Sequence, residues 1–435
     1  MKRRVRFIDT RPLRSSPPYR ALWIGTSASQ LGAQIANVAV LAQVWELTGS
    51  PVGTGAIGLA TGLPMVLFGL LGGTLADTVD RRALVRATTA GQLLAAGALC
   101  VQALAGNRNV VLLLALVAFA TACSALGAPA RRTFPVRLLP PDQVAAGLAL
   151  NNVSFQFAML AGPAAAGLII ARWDFAAAYA TQAAAIALAT LAVLRLPAMR
   201  PEGVRAEGGR RRAERGGWRV VLRRDTLWGS LATDLSATLL AMPIALFPLV
   251  NEVRFEGNPQ TLGLFLSAVA VGGITAGLLS GTVTRWRRGG LVQLTAAALW
   301  GLALACFGLA GPLWLALTCL AVAGAADTVS VVTRSALVQL ETPDAYRGRV
   351  SSVEHVIGVA GPELGNFRGG LVASATSATF SLVTGGLAAV AAITAIAAAN
   401  SPLRAYRTPK EEPEPPARHA PEAEVGDAAQ EARPA

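Results

Sequence analysis

Six ionisable side chains stand inside stretches that are otherwise apolar: Asp234, Asp327, Glu354, His355, Glu363 and Arg368. Apolar surroundings penalise the charged form of a carboxyl, which can then hold a proton and trade it against another ligand. Such residues are costly in a membrane and mark transport pathways by default. Glu363, Asp234 and Asp327 are the proton-coupling candidates, in that order. The competing reading is a structural carboxylate paired with Arg or with backbone. For Asp327 the two are even, because Arg334 follows seven residues on along one helical face. Glu363 and Arg368 are five residues apart, about 140° around a helix, and form no simple same-face pair. Arg368 is instead a candidate for the substrate cavity.

Neutral polar residues form a second set. Ser27, Gln30, Gln34 and Asn37 recur at one helical face, and Asn152 pairs with Gln156 at i, i+4 beside Asn151. Gln30, Gln34, Asn37, Asn152 and Gln156 are candidate cavity residues that could hydrogen-bond a polar substrate. Amide bonds between helices, typically about 0.6–2 kcal/mol each, explain them equally well.

Other chemistries lack their residues. The two histidines are His355 and His419, and Cys100, Cys123, Cys306 and Cys319 all lie in apolar runs without metal-site spacing. No Gly-Lys-Ser/Thr phosphate loop occurs. The expectation is therefore a protein that is not an enzyme, with no metal and no cofactor.

The elements that must position these residues are membrane helices. Apolar residues make up 53% and charged residues 14% of the 435, against about 25% charged in a soluble domain; mean hydropathy is +0.49. Twelve apolar runs can be drawn, at 21–45, 54–76, 84–105, 109–129, 143–170, 175–196, 226–250, 261–283, 290–310, 312–335, 350–373 and 377–399. Runs of about 20 residues span the hydrocarbon core as helices, which satisfy their own backbone there. The segments after even-numbered runs carry 22 Lys and Arg, and those after odd-numbered runs carry three, Arg108, Arg172 and Arg254. That bias places both termini in the cytoplasm. It also accounts for the net charge of +13 without a nucleic-acid partner, which would need a basic stripe on a soluble face. Seven of the eight Trp fall near run ends, as interfacial belts favour. The basic N-terminus is followed by no cleavage site, so the first helix reads as retained.

Six runs, a linker and six more runs make the organisation. The segments are 1–20 (cytoplasmic), 21–196 (first six-helix bundle), 197–225 (basic linker), 226–400 (second bundle) and 401–435 (a tail expected to be disordered). The bundles repeat. Gly69-Leu70-Leu71-Gly72-Gly73-Thr74 recurs as Gly277-Leu278-Leu279-Ser280-Gly281-Thr282, Pro141-Asp142 as Pro343-Asp344, and Gly162-Pro163 as Gly361-Pro362, at offsets of 208, 202 and 199. Parallel six-helix repeats describe transporters whose halves rock about a midplane site.

The loop Gly72-Gly73-Thr74-Leu75-Ala76-Asp77-Thr78-Val79-Asp80-Arg81-Arg82 resembles the helix 2–3 signature of the major facilitator superfamily. Gly73, Asp77, Arg81 and Arg82 match; Thr78 and Asp80 depart. In the family this Asp faces the N-terminus of helix 11, where the helix dipole favours a negative charge. Gly162-Pro163 resembles a worn form of the helix 5 signature of exporters, a bend between closely packed helices. Residues 46–52 and 342–350 resemble the group that contains the enterobactin exporter and related drug–proton antiporters. The resemblance implies an all-α membrane fold of twelve helices in two pseudo-symmetric bundles, in the cell's inner membrane. It implies a monomeric secondary transporter exporting a small amphipathic siderophore or drug-like compound in exchange for protons; the alternative is a facilitator or importer of the same fold. The Arg of helix 4 and the acidic residue of helix 1 found in other branches are absent; Ala33 follows Gly32 in helix 1. By the repeat, Asp142 is expected to pair with the Arg285, Arg287 and Arg288 cluster when the cytoplasmic side closes.

Overall fold

The computed structural model describes residues 9–195, 219–279, 288–343 and 346–407, without the side chains of residues 70, 76, 77 and 347–349. Within these, twelve long helical rods succeed one another: α1 Pro17–Thr48, α2 Pro51–Thr78, α3 Arg81–Leu104, α4 Val110–Arg132, α5 Pro141–Arg172, α6 Phe175–Leu194, the broken α7 Asp225–Phe255, α8 Pro259–Leu278, α9 Gly289–Leu309, α10 Leu313–Glu341, α11 Arg347–Ala375 and α12 Ala378–Ala399. Ten are long and apolar enough to cross a membrane. The remaining two, α1 and α11, are 32 and 29 residues long, ample at about 1.5 Å per residue, but carry the polar residues singled out above. The rods follow the predicted runs closely.

The rod boundaries have local causes. Ser16, Ser50, Asn258 and Ser377 accept backbone N–H bonds at the starts of α1, α2, α8 and α12, satisfying donors that a first turn leaves open. Asp80, which departs from the family pattern, caps α3 by accepting from the N–H groups of Arg82 and Ala83. Arginines close helix ends from the other side. Arg82 and Arg86 donate to the Leu194 carbonyl ending α6, and Arg254 donates to Phe307, Gly308 and Ala310 at the end of α9. A cation there complements the negative end of the helix dipole.

α7 differs from the simple run 226–250. It consists of Asp225–Ala241, a break at Met242-Pro243, a 3-10 turn Ile244–Leu246 and a second helix Phe247–Phe255. Pro cannot donate to the ladder and forces such a break. The second piece is anchored by edge-to-face contacts of Phe247 with Phe265 and Phe307, centroids 5.5 and 5.7 Å apart. At the edges of the bundles, Val221 in the predicted linker is buried, and residues 401–405 of the predicted tail form a short helix with Leu403 buried.

The two halves meet along two seams related by the repeat, α2 against α11 and α5 against α8. Gly370 of α11 abuts the Pro51 carbonyl at the start of α2, and Gly167 of α5 abuts the Pro259 carbonyl at the start of α8. Absent side chains allow these backbones to approach closely. Both seams lie near the face carrying the α1–α2 and α7–α8 connections, here the far face. Toward the opposite, terminal face, a side chain added at Gly69, Gly73 or Gly277 would meet no described atom within 4 Å, and Leu278 is 82% exposed.

Candidate functional site

The α2–α11 seam carries Glu363. A Cβ on Gly62 would stand 2.8 Å from its Cβ, and one on Gly58 would stand 3.0 Å from its Oε2. Glycines at i and i+4 thus cut a slot in α2 that receives this side chain. Thr61 and Asn366 reach its carboxyl with their side chains. Asn366 in turn accepts from the Ala245 N–H at 3.2 Å, and Thr54 of α2 donates to the Ala245 carbonyl at 2.7 Å. The seam therefore ends on the broken segment of α7, whose free backbone groups provide these bonds. At the equivalent seam, Ala164 occupies the position that the 199-residue offset matches to Glu363, and Ser267 donates to the Leu160 carbonyl at 2.9 Å. One seam holds a carboxylate and the other does not.

A second ionic group lies wholly within the C-terminal half. Arg334 of α10 pairs with Asp234 of α7 and lies 3.4 Å from Glu354 of α11. All three are largely buried, and Ser335 also donates to Glu354. The guanidinium counted above with the loop charges is thus inside the bundle. Asp327 forms no ion pair among the described residues, where Arg334 pairs with Asp234 and Glu354. His355 is exposed.

Arg368 donates to the Leu240 carbonyl at 2.6 Å, a group freed by the α7 break, and lies against Gly385 of α12. Its charge caps the first piece of α7. Of the neutral stripe, Gln34 donates to Met159 Sδ at 3.0 Å and packs on Gly162, while Ser27 Oγ and Gln30 Oε1 are buried without a partner. Asn37 and Asn152 are exposed and Gln156 is half-buried. Gly162-Pro163 sits in an uninterrupted α5, where Gly162 meets α1 and the Pro163 carbonyl meets Gly263 of α8. Gly361 repeats the arrangement, facing Thr238 of α7.

Of the latch, Arg82 donates to the Leu194 carbonyl as above, and the backbone of Asp77 lies in the last turn of α2. The Asp77 side chain and all of Arg285 lie outside the described residues. Asp142 is exposed at the start of α5, beside the N-terminal helix Arg11–Ser15, where Ser15 donates to Gln143 at 2.6 Å. The Arg11 guanidinium is held above its ordinary pKa chiefly by its bond to Asp9, with a smaller contribution from Asp142.

Sequence reasoning passed over two buried polar clusters. Gln43 of α1 accepts from Tyr179 of α6 at 2.7 Å and from Gln102 of α3 at 3.1 Å. In the second half Ser230 of α7 donates to Gln293 of α9 at 2.8 Å, and Gln293 returns a bond to the Ser230 carbonyl at 2.9 Å. Lone Gln residues in apolar runs were the available signal.

A family model described as transmembrane secretion effector matches residues 10–433. The enterobactin exporter of Shigella flexneri is 25% identical over 386 residues, covering 85% of this chain and 90% of that one. The enterobactin exporter of Citrobacter koseri is 24% identical over 402 residues, covering 89% and 94%. Among solved structures, the nucleoside transporter NupG superposes with a TM-score of 0.74 at 14% identity, covering 88% of this chain and 99% of that one. A POT family transporter in complex with 5-aminolevulinic acid gives 0.70 at 10% identity, covering 89% and 97%. The fold is that of the major facilitator transporters, and the protein is a multi-pass membrane transporter, not an enzyme. With nearly the whole chain matched, the protein belongs to the transmembrane secretion effector family of that superfamily.

Proposed function

We propose that this transporter exports a small amphipathic compound, of the siderophore or drug-like class, across the cytoplasmic membrane in exchange for protons. The exporters among its relatives support the direction and the substrate class. The excess of basic residues at the terminal face supports a cytoplasmic position for that face. The two seams then lie toward the outside, and an exporter loads from the opposite, cytoplasmic side. Gln30, Asn37, Asn152 and Gln156 supply amides for polar groups of the substrate, and apolar side chains take the remainder.

Glu363 carries the proposal. Among the described residues it is the embedded carboxylate whose neighbours, Gly58, Thr61 and Gly62, belong to the opposite half, whereas Asp234 and Glu354 meet their cation within their own half. Rocking that parts the far face withdraws the glycine slot and exposes the carboxyl to outside water. A proton taken there leaves a neutral side chain, which returns to a dry seam at lower cost than a charged one. Release of that proton on the cytoplasmic side completes the exchange. Asp234 and Asp327 rank second and third.

Uptake of enterobactin into inverted membrane vesicles tests the reading. Acidifying the lumen is expected to drive uptake, and nigericin to abolish it. Equilibration indifferent to the gradient would make the protein a facilitator.

A further inference from the structure

Arg334 of α10 meets two carboxylates, but Arg131 in the last turn of α4 meets none among the described residues. An arginine at the end of a membrane helix ordinarily snorkels outward to water. Arg131 does the reverse. Its Nη2 donates to the Ser124 carbonyl at 2.6 Å, seven residues and about 10 Å back along the rod. Helical side chains lean toward the N-terminus, and Gly127 leaves the groove that this one occupies. A Cβ there would stand 2.6 Å from Nη1 and 3.0 Å from Cζ. The guanidinium is thus held by α4 itself, while its Nε and Nη1 are unbonded among the described residues and accessible.

The neighbours of α4 fix the direction it faces. Cys123 and Gly127 meet Gly91 and Thr88 of α3, and Ala125 and Leu126 meet Gly72 of α2. Phe119, 49% exposed, marks the outer face. Val117, Ser124 and Arg131 follow at seven-residue spacing on the remaining, inner line. Val117 is buried in the core that α1 shares, whereas Ser124 is exposed. Depth follows from the pairings between rods. Ala130 packs with Leu22 of α1, which sets Ser124 level with Ser27 and Gln30. α1 and α5 pair at an offset of 128 residues, as Tyr19 does with Gly147, which adds Gln156 at that level. One cation therefore stands at the depth of the neutral amides without an anion of its own.

We propose that Arg131 is the anion-binding residue of the substrate cavity, taking a carboxylate or similar planar oxygen anion borne on an apolar body. A guanidinium presents paired N–H donors that match such a group. An uncompensated charge inside the bundle also favours a counter-charge from the occupant. The inference rests on the proposed substrate cavity, but on neither the export direction nor proton exchange.

Binding of sodium naproxen, an aromatic carboxylate, to the full-length protein in nanodiscs of neutral lipid tests this by calorimetry without a pH gradient. Naproxen amide is the neutral counterpart of similar size, and empty nanodiscs supply the baseline. The carboxylate should bind saturably, with affinity lowered about tenfold in Arg131→Gln and partly recovered in Arg131→Lys. Arg132→Gln, one residue on and exposed, should leave it unchanged. Affinity for the amide should stay within twofold in every variant, which also reports an intact cavity. Absent binding of the carboxylate, unchanged affinity in Arg131→Gln, or an equal loss for both probes overturns the proposal. Transport of enterobactin indifferent to the gradient would instead remove the proton-exchange reading and leave this binding as it is.

Discussion

Glu363 of α11 fills the space that a side chain on Gly62 of α2 would need: a Cβ built there lies 2.8 and 2.9 Å from the Cβ and Cγ of the glutamate. The contact joins the two halves of the transporter at the seam that closes the far face. A carboxylate is thereby made part of the joint between the two halves.

Filling the slot should open that joint. Gly62→Leu is expected to force α2 from α11 and shift the protein toward a state open at the far face. In a background lacking the four native cysteines, labelling of Phe367→Cys by an impermeant maleimide should rise severalfold with Gly62→Leu. Unchanged labelling would mean that the slot does not hold the seam.

The Asp234–Arg334 pair predicts a stability pattern. Removing one partner of a buried pair leaves an uncompensated charge and costs about 3–5 kcal/mol. Arg334→Ala should therefore lower the unfolding temperature in detergent markedly, and Arg334→Ala/Asp234→Ala should recover part of the loss. A double variant no better than Arg334→Ala would place the cost in lost packing.

Much of this architecture was legible from sequence, because a membrane span is written in consecutive residues. The rods start and end within a few residues of the apolar runs, and the Gly-Pro repeats do occupy corresponding contacts, Gly162 on α1 and Gly361 on α7. Pairings between helices were not legible, since they join residues far apart in the chain. Arg334 read as a loop charge because it ends an apolar run, yet α10 continues to Glu341 and carries it inside. Glu363 was found by its charge, but its slot depends on which face of α2 meets α11. The break of α7 was hidden because Met242-Pro243 interrupts neither length nor hydropathy.

Arg368, a candidate substrate contact by sequence, donates to the Leu240 carbonyl at the end of the first piece of α7. Hydrogen bonds to charged groups contribute about 1.5–3 kcal/mol. Arg368→Met is expected to lower thermal stability while leaving the apparent KM for enterobactin within twofold. A large rise in KM at unchanged stability would return it to the substrate cavity.

The Gln43–Gln102–Tyr179 cluster staples α1, α3 and α6. Gln43→Leu strands the Tyr179 hydroxyl and the Gln102 amide, each at about 1–3 kcal/mol. Adding Gln102→Leu and Tyr179→Phe should restore much of the loss, as thermal unfolding of the triple variant would register. A triple variant less stable than Gln43→Leu would assign the penalty to packing.

The central claim is that Glu363 carries the coupling proton across the seam. The direct measurement is enterobactin uptake by inverted vesicles bearing Glu363→Gln, with and without an acid lumen, beside enterobactin exchange at equal pH. The predicted result is loss of the response to the gradient with exchange retained. Full gradient-driven uptake in Glu363→Gln would contradict the account.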